Sequence, residues 1–134
     1  MHEREDEFRN YIEKWKNILG LQAWEIDLEI VSGDDKELEK AGAFACVDRS
    51  RMWEIATIKI VKPEDYKWFL RPEYDPEFMI VHELVHLVYP FHPPDGDTEK
   101  EITLELSTNK ITKALLLLDR KKETTDAKLS QSDN

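Results

Sequence analysis

The sequence predicts a mixed α+β domain: an N-terminal helix, a small three-stranded sheet, a buried helix bearing histidines and a final helix bearing a glutamate. Three observations predict it. Residues 3–19 carry apolar side chains at helical spacing, and residues 76–89 are apolar nearly all round. Residues 24–30 and 53–61 alternate with a period of two. Asp75-Pro76-Glu77 spells a helix start, with an acid to cap and a proline at the first helical position.

Taken in order, Phe8, Ile12, Trp15 and Leu19 form one stripe of the first helix, and Gly20 is its stop. Trp24, Ile26, Leu28 and Ile30 alternate with Glu25, Asp27 and Glu29, the pattern of a half-buried strand. Residues 33–40 read as a charged loop. Phe44–Val47 and residues 53–61 read as a hairpin, with Asp48-Arg49-Ser50-Arg51 as its turn and the second strand apolar on much of both faces. Residues 64–74 are aromatic and irregular, with room for one helical turn. The helix from 76 to about 89 is apolar nearly all round, so it is expected in the core. Thr98-Glu99-Lys100-Glu101 has the capping-box pattern and opens a helix expected to end near 119. The expected organisation is one domain over residues 1–120 and a polar, disordered tail over 121–134. Trp15, Trp24, Trp53 and Trp68 are expected in the core, given the apolar area each can bury.

Composition narrows the function. The 134 residues include 29 acids and 19 bases, a formal net charge of −10. That balance argues against a nucleic-acid partner, whose phosphates call for clustered Lys and Arg. Arg120-Lys121-Lys122 reads as favourable charge near a helix C-terminus. No apolar run is long enough for a membrane span, and MHEREDEFRN is not a secretory signal. Cys46 is the single cysteine, so no internal disulfide forms, and a reducing, cytoplasmic setting is the default. Cys46 itself reads as an inert strand residue.

The chemistry lies in MIVHELVH, residues 79–86. His82 and His86 are four apart, so a helix projects them from one face. Neutral imidazoles suit Zn²⁺, and a zinc-bound water has its pKa lowered towards 7. Glu83 stands beside them, placed to take that water's proton and hand it to a leaving amine. This is the H-E-x-x-H pattern of zinc metalloproteases. The competing reading is two core histidines satisfied by hydrogen bonds.

A third ligand has two candidates. Glu105 shares a helical face with Asn109, and with Ile102 and Leu116 flanking it that face is expected to point inward. Asn109 would then hold a ligand imidazole from behind. His92, six residues after His86, has metzincin spacing, although Tyr89 stands where metzincins place glycine.

On His82-Glu83-Leu84-Val85-His86 and Glu105-Leu106-Ser107-Thr108-Asn109, the chain resembles the gluzincins, and among them the short, single-domain minigluzincins. It also looks like related zincin-type metallopeptidases encoded by phages and microbes. The resemblance covers residues 5–119. Many gluzincins carry Asp where Asn109 stands. The resemblance implies a zincin-like metallopeptidase fold, Zn²⁺ as cofactor and Glu83 as general base. It also implies an extended peptide substrate that adds to an edge strand, for which residues 53–61 are the candidate. Larger gluzincins supply a downstream His and Tyr for the oxyanion. No histidine follows Glu105 here, so Tyr66, Tyr74, Tyr89 and His92 are the candidates. Small members can be latent, with a terminal segment in the cleft, and the tail from Lys121 is the candidate segment. The expected function is a zinc-dependent endopeptidase; the alternatives are a zinc-binding module without turnover and a metal-free structural protein.

Overall fold

The computed structural model describes residues 2–50, 52–66, 73–89, 93–94 and 96–132. The chain divides into two compact units, Met1–Phe91 and His92–Asn134. Among the described residues the architecture is mixed α+β, with four α-helices and one three-stranded sheet. No helix among them is long and apolar enough to cross a membrane.

In the first unit, α1 (His2–Leu19) buries the predicted stripe Phe8, Ile12 and Trp15. Gly20 ends it at φ 74°, and Leu21 N–H returns to the Lys16 carbonyl at 2.8 Å, a left-handed cap that needs glycine. β1 (Glu25–Val31) keeps its acids outward and buries Leu28. The expected loop at 33–40 contains a short helix, α2 (Lys36–Ala41). Asp35 caps it by accepting from Glu37 N–H and Leu38 N–H, Gly42 closes it in the left-handed region, and Leu38 anchors it.

The expected turn at 48–51 is misplaced. β2 (Ala45–Ser50) continues through Asp48 and Arg49, and Ser50 pairs with Ile55. Among the described residues the reversal falls at 52–54, with Glu54 at φ 52°. Trp53, expected in the core, is 71% exposed in this turn, and Trp24 is half-buried. Trp68 lies outside the described residues.

β3 (Ile55–Val61) lies at the centre of the sheet, not at its edge. The order is β1-β3-β2, with β1 parallel and β2 antiparallel to β3. The registers place Ile26, Leu28 and Ile30 beside Ala56, Ile58 and Ile60 on one face. This is the face that carries the core. The other face carries Glu25, Asp27, Glu29, Thr57, Lys59 and Asp48. On the core face of this central strand Ile58 and Ile60 are fully buried, while Ile55, on the other face, is 46% exposed. The edge for an incoming strand is therefore β2 or β1.

After β3, Pro63–Asp65 form a single 3-10 turn. α3 (Pro76–Val88) follows its predicted bounds within a residue, and the Asp75 carboxylate accepts from Phe78 N–H at 3.1 Å. α3 packs against α1, β2 and β3. Ile80, Val81, Leu84, Val85 and Leu87 are buried, each worth about 1.5–3 kcal/mol of hydrophobic stabilisation. Tyr74 O–H donates to the Val61 carbonyl at 2.6 Å, so the start of α3 is held at the end of β3. Arg49 donates to the His86 carbonyl at 2.9 Å, so the end of α3 lies beside the part of β2 that pairs with Ala56. α3 thus runs antiparallel to β3.

The second unit is dominated by α4 (Thr98–Ser132). Its cap is Asp97, not Thr98: Lys100 N–H bonds the Asp97 carboxylate at 3.2 Å and Glu101 N–H its carbonyl at 3.1 Å. A carboxylate one residue upstream displaces the weaker hydroxyl as acceptor. The helix runs past the expected end at 119 into the polar tail. Thr108, Thr112 and Leu116 are its buried side chains, and both threonine hydroxyls bond carbonyls four residues back.

Candidate metal centre

α3 carries three of the residues that the sequence singled out. His82 and His86 are half-buried, one helical turn apart. Their Nε2 atoms are 3.2 Å apart and their rings meet edge to face, with centroids 4.9 Å apart. Two imidazole nitrogens bound tetrahedrally to one zinc, each at about 2.05 Å, would stand about 3.3 Å apart. The pair therefore fits a shared ion. The same spacing also suits one N–H···N hydrogen bond between neutral rings.

Glu83 is 7% exposed. A carboxylate that deep is costly without partners or a charge to face. Its neighbourhood includes β2, since the Glu83 charge helps to raise the Cys46 thiol. The principal cause there is burial, followed by the Glu37 carboxylate; the thiol is pushed up to about 11, so Cys46 is unreactive at neutral pH.

Arg49 is the residue that sequence reasoning missed. Its guanidinium donates to the His86 carbonyl near the C-terminal end of α3, where a cation also suits the helix dipole. In the sequence it reads as part of a turn, Asp48-Arg49-Ser50-Arg51. Extending the β-strand through residue 50 would have placed it opposite Ala56, on the face that α3 covers.

Glu105 and Asn109 are on α4. Glu105 shares a helical face with Thr108, Thr112 and Leu116, the buried side chains of that helix, yet is itself exposed. Asn109, one turn on, is partly buried. Of the two residues expected to flank them inward, Leu116 is buried and Ile102 is 53% exposed.

The candidate oxyanion donors fall in different places. Tyr66 and Tyr74 stack edge to face, centroids 5.3 Å apart, with Phe44 against Tyr66. The Tyr74 hydroxyl is engaged by Val61, and burial raises its pKa. Tyr89 follows α3 directly, three residues from His86, and is 60% exposed. His92 lies outside the described residues. Neither family models, curated proteins nor solved structures match this chain.

Proposed function

We propose that this chain is a zinc-dependent endopeptidase of the minimal gluzincin kind, acting on extended peptide segments. One observation carries the reading: two imidazole Nε2 atoms 3.2 Å apart on a helix that also buries Glu83 between them in sequence. His82 and His86 would hold the ion, with Glu105 as the carboxylate ligand and Asn109 behind a ligand imidazole. His92 remains the second candidate for the third position. Zinc, when bound, supplies Lewis acidity towards a carbonyl and a water.

The chain's own residues do the rest. Glu83 takes the proton of the attacking water and delivers it to the leaving amine, which its low exposure favours by excluding bulk water. Tyr89, beside the motif helix and exposed, is the leading oxyanion donor. The peptide would pair with β2, the edge strand against α3, in place of residues 53–61. The net charge of −10 favours basic or unfolded segments by long-range steering. A reducing, cytoplasmic setting suits a chain with one cysteine.

The test is zinc content of the purified chain after dialysis against metal-free buffer, together with cleavage of an unfolded protein substrate. About one zinc per chain is expected, lost in His82→Ala and His86→Ala. Glu83→Ala should keep the metal and lose activity by at least about a hundredfold. Zinc without turnover in the native chain would leave a zinc-binding module. Absence of zinc, with none taken up on titration, would leave His82 and His86 as hydrogen-bonded core histidines.

A further inference from the structure

We propose that α4 pairs antiparallel with the α4 of a second copy of this chain. The helix has a second apolar seam, separate from its buried face. Leu104, Ser107, Ile111, Ala114 and Leu118 follow one another at steps of three and four, the spacing that keeps a coiled-coil seam facing its partner. Ile111 is 48% exposed and Leu118 67% exposed, while Leu104 is half-buried. Four consecutive leucines, 115–118, put apolar side chains on every side of the helix, and Leu116 is the fully buried one. This one turn is apolar on every side, and the buried face at Leu116 covers only part of it.

Charge selects the occupant and its direction. The start of α4 is acidic, with Asp97, Glu99, Glu101 and Glu105 against Lys100. Further on, Lys110, Lys113, Arg120, Lys121, Lys122 and Lys128 outnumber Asp119, Glu123 and Asp126. A parallel pair would set each block on its own copy, like on like. An antiparallel pair sets acid on base twice, by symmetry.

Side-chain size agrees with that direction. In the antiparallel register centred between residues 112 and 113, Ile111 of each copy faces Ala114 of the other, and Leu118 faces Ser107. Both exposed large residues of the seam meet small ones, which lets the two backbones approach closely there, while Leu104 lies against the stem of Lys121. Flanking the seam, Glu101 of one copy meets Lys122 of the other. The polar segment after 119 gains a role in this arrangement: it is helical to Ser132 although its side chains through 130 are exposed, and it would lie along the acidic start of the other helix.

The inference does not depend on zinc. It is tested by sedimentation velocity of the full chain over a range of micromolar concentrations. The expected species is a dimer of twice the 15.9 kDa chain mass. Leu118→Glu should give monomer with unchanged helical circular dichroism. If that variant unfolds, the charge pair carries the test. Lys122→Glu should weaken the dimer by about tenfold, and the double variant Glu101→Lys with Lys122→Glu should restore it to within about threefold. A monomer at every concentration, or a dimer indifferent to Lys122→Glu, overturns the proposal. A dimer weakened by Lys122→Glu and not restored by the swap overturns the antiparallel register.

Discussion

Glu77 shows how one carboxylate fastens two helices. It lies in the first turn of α3 and is buried, where it accepts from the Trp15 indole N–H at 2.8 Å and from Lys14 at 3.3 Å. Trp15 is itself among the most buried side chains. Glu77→Ala would leave that indole N–H without its acceptor in a dry setting. A loss of about 1–3 kcal/mol is expected in urea unfolding, with Glu77→Gln closer to wild type. A change below about 0.5 kcal/mol would mean that water replaces the carboxylate. Cys46 gives a second prediction. Burial first, and then the Glu37 and Glu83 carboxylates, raise its thiol to about 11 from the usual 9.0. The folded state therefore holds this proton more tightly than the unfolded one. Its contribution to stability is present below pH 9 and is lost as pH rises through about 11. Iodoacetamide labelling of the native chain should stay slow at pH 8 and accelerate only towards 11. Glu37→Gln should shift that rise to lower pH. Labelling that is half-maximal near pH 8.5 would show an ordinary thiol.

At the scale of elements, the hairpin joining β2 to β3 carries a strained residue. Glu54 sits at φ 52°, where a side chain crowds its own backbone, and its carbonyl accepts from Glu25 N–H at 2.9 Å. Glu54→Gly keeps that carbonyl and removes the crowding. It should raise stability by up to about 1 kcal/mol in thermal unfolding; a clear loss would place the Glu54 side chain in a stabilising contact instead. The same hairpin shows which elements the sequence made legible. α1, β1 and α3 were readable because their signals are local: apolar periodicity, Gly20 as a stop, and Asp75 with Pro76 as a start. α2 was missed because six residues are too few for periodicity, although Asp35, Leu38 and Gly42 spell its cap, anchor and stop. β2 was cut short because the polar residues of an edge strand look like a turn. The central place of β3 was hidden because its parallel pairing with β1 joins residues thirty apart in sequence. His82, Glu83 and His86 were legible for the same local reason as the helices. Arg49 was not, since its bond to the His86 carbonyl spans thirty-seven residues.

For the whole molecule, the proposed metal makes stability depend on zinc. A ligand that binds the folded chain and not the unfolded one raises the free energy of unfolding in proportion to the logarithm of its concentration over its dissociation constant. At a hundredfold excess over that constant the gain is about 2.7 kcal/mol. The helix bearing the histidines has its own hydrophobic support in Ile80, Val81, Leu84 and Leu87, so the metal-free chain should remain folded. Thermal unfolding should therefore show a cooperative transition in chelator that moves upward on adding zinc and returns on chelation. His82→Ala should melt near the metal-free wild type and ignore zinc. Glu83→Ala should keep the zinc-dependent rise, because its proposed task is to move a proton and not to hold the ion. That contrast separates binding from chemistry without an activity assay. If His82→Ala retains the full zinc-dependent rise, the metal is held elsewhere. If Glu83→Ala loses it, Glu83 is holding the site together, and the general-base assignment fails with it.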